Sequence, residues 1–128
     1  MEDILKLLSD HELIQEYEIL NLLHDEDFYY LRIKSYIIGG SILHIKIYLS
    51  DKEYDYSFHW QKETGELINR WDNAPHHNDI KTFPHHQHTG EGVKESYSIT
   101  LDEVLNKIKK SLKHQNTKSP IDKNPANR

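Results

Sequence analysis

Five of the ten histidines, His76, His77, His85, His86 and His88, fall in the stretch RWDNAPHHNDIKTFPHHQHTGEGVKES between Arg70 and Ser96. An imidazole has an unperturbed pKa of about 6.5, so near neutral pH it can both take and give a proton. Two imidazoles flanking a phosphodiester can do general-base and general-acid work without a metal. Arg70, Lys81 or Lys94 can stabilise charge on the phosphoryl oxygens, and Asn73 can donate a neutral hydrogen bond. The expected catalytic set is therefore His76, His77, His85, His86, His88 and Arg70, with Asn73, Lys81, Lys94 and Trp71 binding substrate. Asp72 is expected in support, either orienting a histidine or closing an Asx-turn.

The same residues also suit a metal. Neutral imidazoles bind zinc, and His76, His86 and His88 supply three ligands with an open position left over, although their spacing matches no established zinc signature. A third reading is structural: individual histidines here pack and hydrogen-bond the loop. The aromatic and proline anchors Trp71, Pro75, Phe83 and Pro84 argue that this long connection is ordered. His59 lies beside Trp60 and is placed as a supporting residue on an open sheet face, whereas His11, His24, His44 and His114 read as solvated or capping residues.

A loop can hold such a set only if regular elements anchor both its ends. Ile4, Leu5 and Leu8 at helical spacing predict a short N-terminal helix ending before Ser9. From Leu13 to Asp72, β-branched and aromatic runs are broken at 24–27, at Gly39-Gly40, at 50–52 and at 63–65, which predicts about five strands in an antiparallel meander. Leu43, Ile45, Ile47 and Leu49 alternate with His44, Lys46 and Tyr48, and Tyr54, Tyr56, Phe58 and Trp60 alternate with Asp55, Ser57, His59 and Gln61, so one sheet face is apolar. The aromatic stripe is read as core rather than as a base-stacking platform.

The cover for that face is a helix after Thr100, with Leu101, Val104, Leu105, Ile108 and Leu112 in one stripe. Thr100 and Glu103 match a capping box, and Lys107, Lys109, Lys110 and Lys113 suit the C-terminal end. The fold class is thus α+β, with both helices ending on one face of the sheet, in one domain over 1–113. The proline-rich residues 114–128 are expected to form a disordered tail.

A chain of 128 residues carries one core. The formal charge of -5 disfavours broad nucleic-acid binding but leaves a local basic site open. With no cysteine there is no disulfide, thiolate site or thiol nucleophile, so chemistry falls to nitrogen and oxygen groups. The segment MEDILKLLSD lacks the features of a secretion signal and no run approaches a membrane span, which places the protein in the cytoplasm.

The run YDYSFHWQKETGELINRWDNAPHH, followed by TFPHHQHTGEGVKES and SITLDEVL, resembles the TumE-type toxin family of toxin–antitoxin systems over roughly residues 10–112. The RWDNAPHH and FPHHQH pair carries the resemblance, through Arg70 to His77 and through Phe83, Pro84, His85, His86 and His88. The resemblance implies a growth-inhibiting toxin and a neighbouring DNA-binding antitoxin of helix-turn-helix type. The leading expectation is a metal-independent endoribonuclease, with RNA, free or ribosome-associated, as substrate and with no cofactor. The alternative is a non-catalytic metal- or protein-binding module that inhibits by occlusion. A regulator is disfavoured, since no helix-turn-helix or basic recognition helix is evident.

Overall fold

The computed structural model describes residues 2–75 and 79–118. Helix α1 (Glu2–Asp10) precedes seven strands: β1 (Ile14–His24), β2 (Phe28–Ile37), β3 (Ile42–Ser50), β4 (Tyr54–Gln61), β5 (Leu67–Asp72), β6 (His86–Thr89) and β7 (Gly92–Glu95). Helix α2 (Leu101–Lys118) closes the order. Every strand pairs antiparallel with the next, so the sheet order is β1-β2-β3-β4-β5-β6-β7. The meander and the two helices are as expected, but the strand number is corrected from about five to seven. The additional pair, β6 and β7, lies inside the stretch that was read as irregular.

Period-two alternation builds the inner face. Leu31, Ile33 and Ile37 of β2, Leu43, Ile45 and Ile47 of β3, Tyr56, Phe58 and Trp60 of β4 and Trp71 of β5 are all buried on it. They pack with Leu8 of α1 and with Ile99, Leu101, Val104, Leu105 and Ile108 at and along α2. Each aliphatic side chain buried there contributes about 1.5–3 kcal/mol. The inner surface of the sheet is therefore occupied by helices, and only the opposite face is open.

Local chemistry fixes the helix start and the turns. The Thr100 backbone N–H donates to Glu103 Oε1 at 2.9 Å and the Glu103 N–H donates to Thr100 Oγ1 at 3.3 Å, which is the predicted capping box. The Tyr54 hydroxyl donates to the Ile99 carbonyl at 2.9 Å and ties the approach to α2 onto β4. Gly39 and Gly40 both have positive φ (94° and 108°), where a side chain would clash with its own backbone. Helix α2 runs on to Lys118, through residues that composition assigned to the tail.

Candidate functional site

Strand pairing, not a loop, brings the cluster together. In the β5–β6 register Asp72 faces His86 and Arg70 faces His88, so all four side chains share the open face. The approach to β6 is a tight turn in which Phe83 N bonds Ile80 O and His85 N bonds Thr82 O. Thr82 Oγ1 donates to the His85 carbonyl at 2.7 Å and accepts from Ser96 N at 3.0 Å, joining both ends of the β6–β7 hairpin. The Phe83–Pro84 peptide is cis.

At the centre is a buried pair. His86, 2% exposed, places Nε2 2.7 Å from Asp72 Oδ1 and Nδ1 2.8 Å from the Pro84 carbonyl oxygen. A carbonyl only accepts, so Nδ1 donates to Pro84 and Nε2 is turned toward the carboxylate. Asp72 Oδ1 also accepts from Ala74 N at 3.1 Å, while Oδ2 accepts from Arg70 Nε at 2.9 Å. His88 Nε2 is 3.7 Å from the same Oδ2, and its ring meets the His86 ring edge-on at 4.8 Å between centroids. The carboxylate is thus surrounded by donors, as a buried charge requires.

The cluster has an inner and an outer half. His86 and Asp72 are enclosed, whereas the side chain of His88 is 28% and that of Arg70 43% exposed. Arg70 spends one of its five N–H groups on Asp72 and keeps a partly open fork. A cavity of about 420 Å³ opens beside them, bounded by Arg70, Asp72 and Asn73 and by Tyr30, Lys46 and Tyr48. Asp72, His86 and His88 also place one ligand-type atom each within 4.8 Å of one another.

The remaining expected site residues are distributed differently. His85 points away from this face: its Nδ1 is 2.9 Å from the Tyr56 hydroxyl and its ring stacks on Tyr56 at 5.8 Å. Burial, with the nearby Asp72 carboxylate adding to it, pushes the Tyr56 hydroxyl up to about 12, so it keeps its proton. Trp71 lies in the core at 2% exposure, not on a substrate surface. Asn73 spends its amide on β4, accepting from Tyr56 N at 3.0 Å and donating to the Tyr54 carbonyl at 2.7 Å. Lys94, on β7, pairs with Glu91 at 2.9 Å, and Lys81 is an exposed turn residue. His76 and His77 lie outside the described residues. His59 is on the open face, directly across from Arg70 and 5.9 Å ring to ring from His44.

The sequence offered Asp72 as a histidine's partner but did not pick out His86 as the one it meets. The signal for His86 is the two-residue period of His86-Gln87-His88, which sends 86 and 88 to one face and 85 and 87 to the other.

An antiparallel sheet with helices on one face and a titratable cluster on the other defines a small α+β domain with a polar working surface. A family model described as Toxin TumE matches residues 4–112, which include all seven strands, and the chain belongs to the TumE toxin family. No curated protein and no solved structure matches it. The protein is accordingly the toxin of a toxin–antitoxin system, and an antitoxin is its partner. No described helix is long and apolar enough to cross a membrane.

Proposed function

We propose that this toxin is an endoribonuclease whose active site is the Arg70–Asp72–His86–His88 cluster, working without a metal. The observation that supports it most is the division of the cluster into a buried, hydrogen-bonded half and a half-open half. In this reading Arg70 holds the scissile phosphate by charge-assisted hydrogen bonds. His88 moves a proton, and Asp72 and His86 position Arg70 and His88 from below. His76 or His77, which follow Asn73 in the sequence, supply the second proton-transfer group. The ribose 2′-oxygen attacks phosphorus as the base takes its proton, and the P–O5′ bond breaks as the acid protonates the leaving 5′-oxygen. The products are a 2′,3′-cyclic phosphate and a 5′-hydroxyl.

The test is incubation of purified toxin with short RNAs in the presence of EDTA, and with ribosomes carrying mRNA in magnesium buffer. Cyclic-phosphate ends, made by the parent and lost in His88→Ala, are the expected result. Intact RNA under every condition overturns the enzymatic reading.

A second reading rests on the convergence of Asp72, His86 and His88. The Nδ1–H of His86 is held by a carbonyl, which leaves Nε2 aimed inward as metal-bound histidines have it. Zinc on these three groups, with Asp72 in the place expected for His76, fits a non-catalytic module that inhibits by occlusion. Stoichiometric zinc in the purified protein, with RNA left uncut, favours it over the first.

The antitoxin is proposed to be a DNA-binding protein of helix-turn-helix type that docks along β1. This strand is a sheet edge of 11 residues with exposed Ile19, Leu20 and Leu23. A long apolar edge is a ready site for strand addition.

A further inference from the structure

We infer that the open face of the sheet is a track for single-stranded RNA, running from an aromatic platform on β2 and β3 to the Asp72–His86–His88 cluster; this rests on the RNA-cleaving reading above. The formal charge of -5 leaves room for a local basic surface. Two cross-strand rows cross this face. Arg32 faces Lys46, Lys46 faces Ser57, and Ser57 faces Asp72. In the next row Lys34 faces His44, His44 faces His59, His59 faces Arg70, and Arg70 faces His88. Four fixed cations and three imidazoles therefore stand side by side on strands β2 to β6. Acids interrupt this face at its borders: Glu18 of β1 faces Lys34, Asp55 of β4 faces Tyr48 and Glu95 of β7 faces His86, with Glu16 on β1 and Glu53 in the β3–β4 turn. Glu18 is engaged by the Tyr36 hydroxyl at 2.5 Å.

The face is grooved as well as charged. A second cavity, of about 300 Å³, is lined by Arg32, His44, His59 and Gln61 and shares Lys46, Ser57 and Arg70 with the cavity beside the cluster. From Arg32 to Asp72 the groove crosses three strand spacings, about 14 Å, enough to align several atoms of backbone before the reacting phosphate. At its far end Tyr30 faces Tyr48, and Phe28 stacks on Tyr48 at 5.7 Å. Such rings stack on unpaired bases and have nothing to grip on a duplex, whose bases are stacked inside. Cations for the backbone, aromatic rings for the bases and a proton-transfer cluster at one end select a single strand over other polyanions.

The test is equilibrium binding of a fluorescein-labelled single-stranded RNA to the full chain carrying His88→Ala, so that binding is read without turnover. Arg32→Glu and Lys46→Glu are expected to weaken binding about tenfold or more each and to reduce the salt slope by about one. Tyr48→Ala weakens binding with the salt slope unchanged. Lys110→Glu, an exposed charge on α2, leaves binding as it was. Thermal melting checks that the exposed substitutions keep the fold. Unchanged affinity in both Arg32→Glu and Lys46→Glu overturns the track, as does equal or tighter binding of duplex RNA or of single-stranded DNA. Loss of antitoxin binding, with RNA binding intact, reassigns the face to the antitoxin and also overturns it. Binding that maps to Arg32 and Lys46 while RNA is never cut supports the track and overturns only the catalytic reading.

Discussion

Arg70 and His88 are direct cross-strand partners on β5 and β6, and both reach toward the same oxygen of Asp72. An anion that meets the guanidinium therefore meets the outer imidazole in the same step. His88→Ala is expected to lower RNA-cleaving activity by about 10²–10⁴-fold and to relieve growth arrest, with a melting temperature close to that of the parent. Equal arrest by parent and variant, at matched expression, removes His88 from the mechanism.

His86 behaves differently because it is enclosed. Replacing it with alanine leaves a buried carboxylate without its short contact, and breaking a buried pair in this way costs about 3–5 kcal/mol. His86→Ala should therefore lose both stability and activity. In a double-mutant cycle with Asp72→Asn, measured by urea unfolding, the two losses should be strongly non-additive. Additive losses would mean that the pair does not hold together in solution.

Asn73 tests the division between scaffold and site. Both of its amide bonds go to the β4 backbone, so Asn73→Ala should destabilise the domain by about 1–3 kcal/mol through unsatisfied groups. RNA affinity of the folded fraction should be unchanged. A selective loss of affinity with unchanged stability would return Asn73 to the substrate surface.

His44 and His59 give the sheet a pH signature. Burial holds both below the ordinary histidine value, helped by His59, Lys34 and Arg32 for His44 and by Arg70 for His59, where a hydrogen bond with Gln61 works the other way. A histidine depressed in the folded state is protonated first in the unfolded chain. Stability from this source is complete above about pH 6.5 and is lost as the pH falls through the lower folded-state values. The urea midpoint of a His44→Gln, His59→Gln variant should fall less steeply than that of the parent as pH is lowered from about 7 to about 5. Parallel slopes would contradict the assignment.

Leu23→Lys and Ile19→Lys on β1 should weaken capture by the antitoxin while leaving toxicity intact. Hydrogen exchange should show the β1 amides protected when antitoxin is added. Protection confined to residues 70–96, with β1 unchanged, would move the interface to the His86 hairpin.

The elements that were legible in the sequence carried their instructions locally. The Thr100–Glu103 box and the alternation in β3 and β4 needed no knowledge of distant residues. Strands β6 and β7 did not read as strands, because HQHT and GVKE are short and polar and pack little apolar surface. They pair because the backbone of β5 beyond Asn69 offers an open ladder and Gly92, at φ 114°, allows the turn. Asp72 was read as either an Asx-type acceptor or a histidine's partner, and a single oxygen does both, for Ala74 and His86. Tertiary pairing also decides the sorting of neighbouring histidines, with His85 under Tyr56 and His86 against Asp72. The open-face cations were visible as the polar half of the strand pattern, but their rows needed the register.

Because strands adjacent in the sheet are also adjacent along the polypeptide, the sheet can grow hairpin by hairpin during translation, each loop closing over a short span. Helix α2, which seals the hydrophobic side, leaves the ribosome only after every strand has done so. Until then the half-made sheet has one wet, sticky surface and an unfinished Arg70–His88 end. The toxin is therefore completed late in synthesis, an interval after β1 has already emerged.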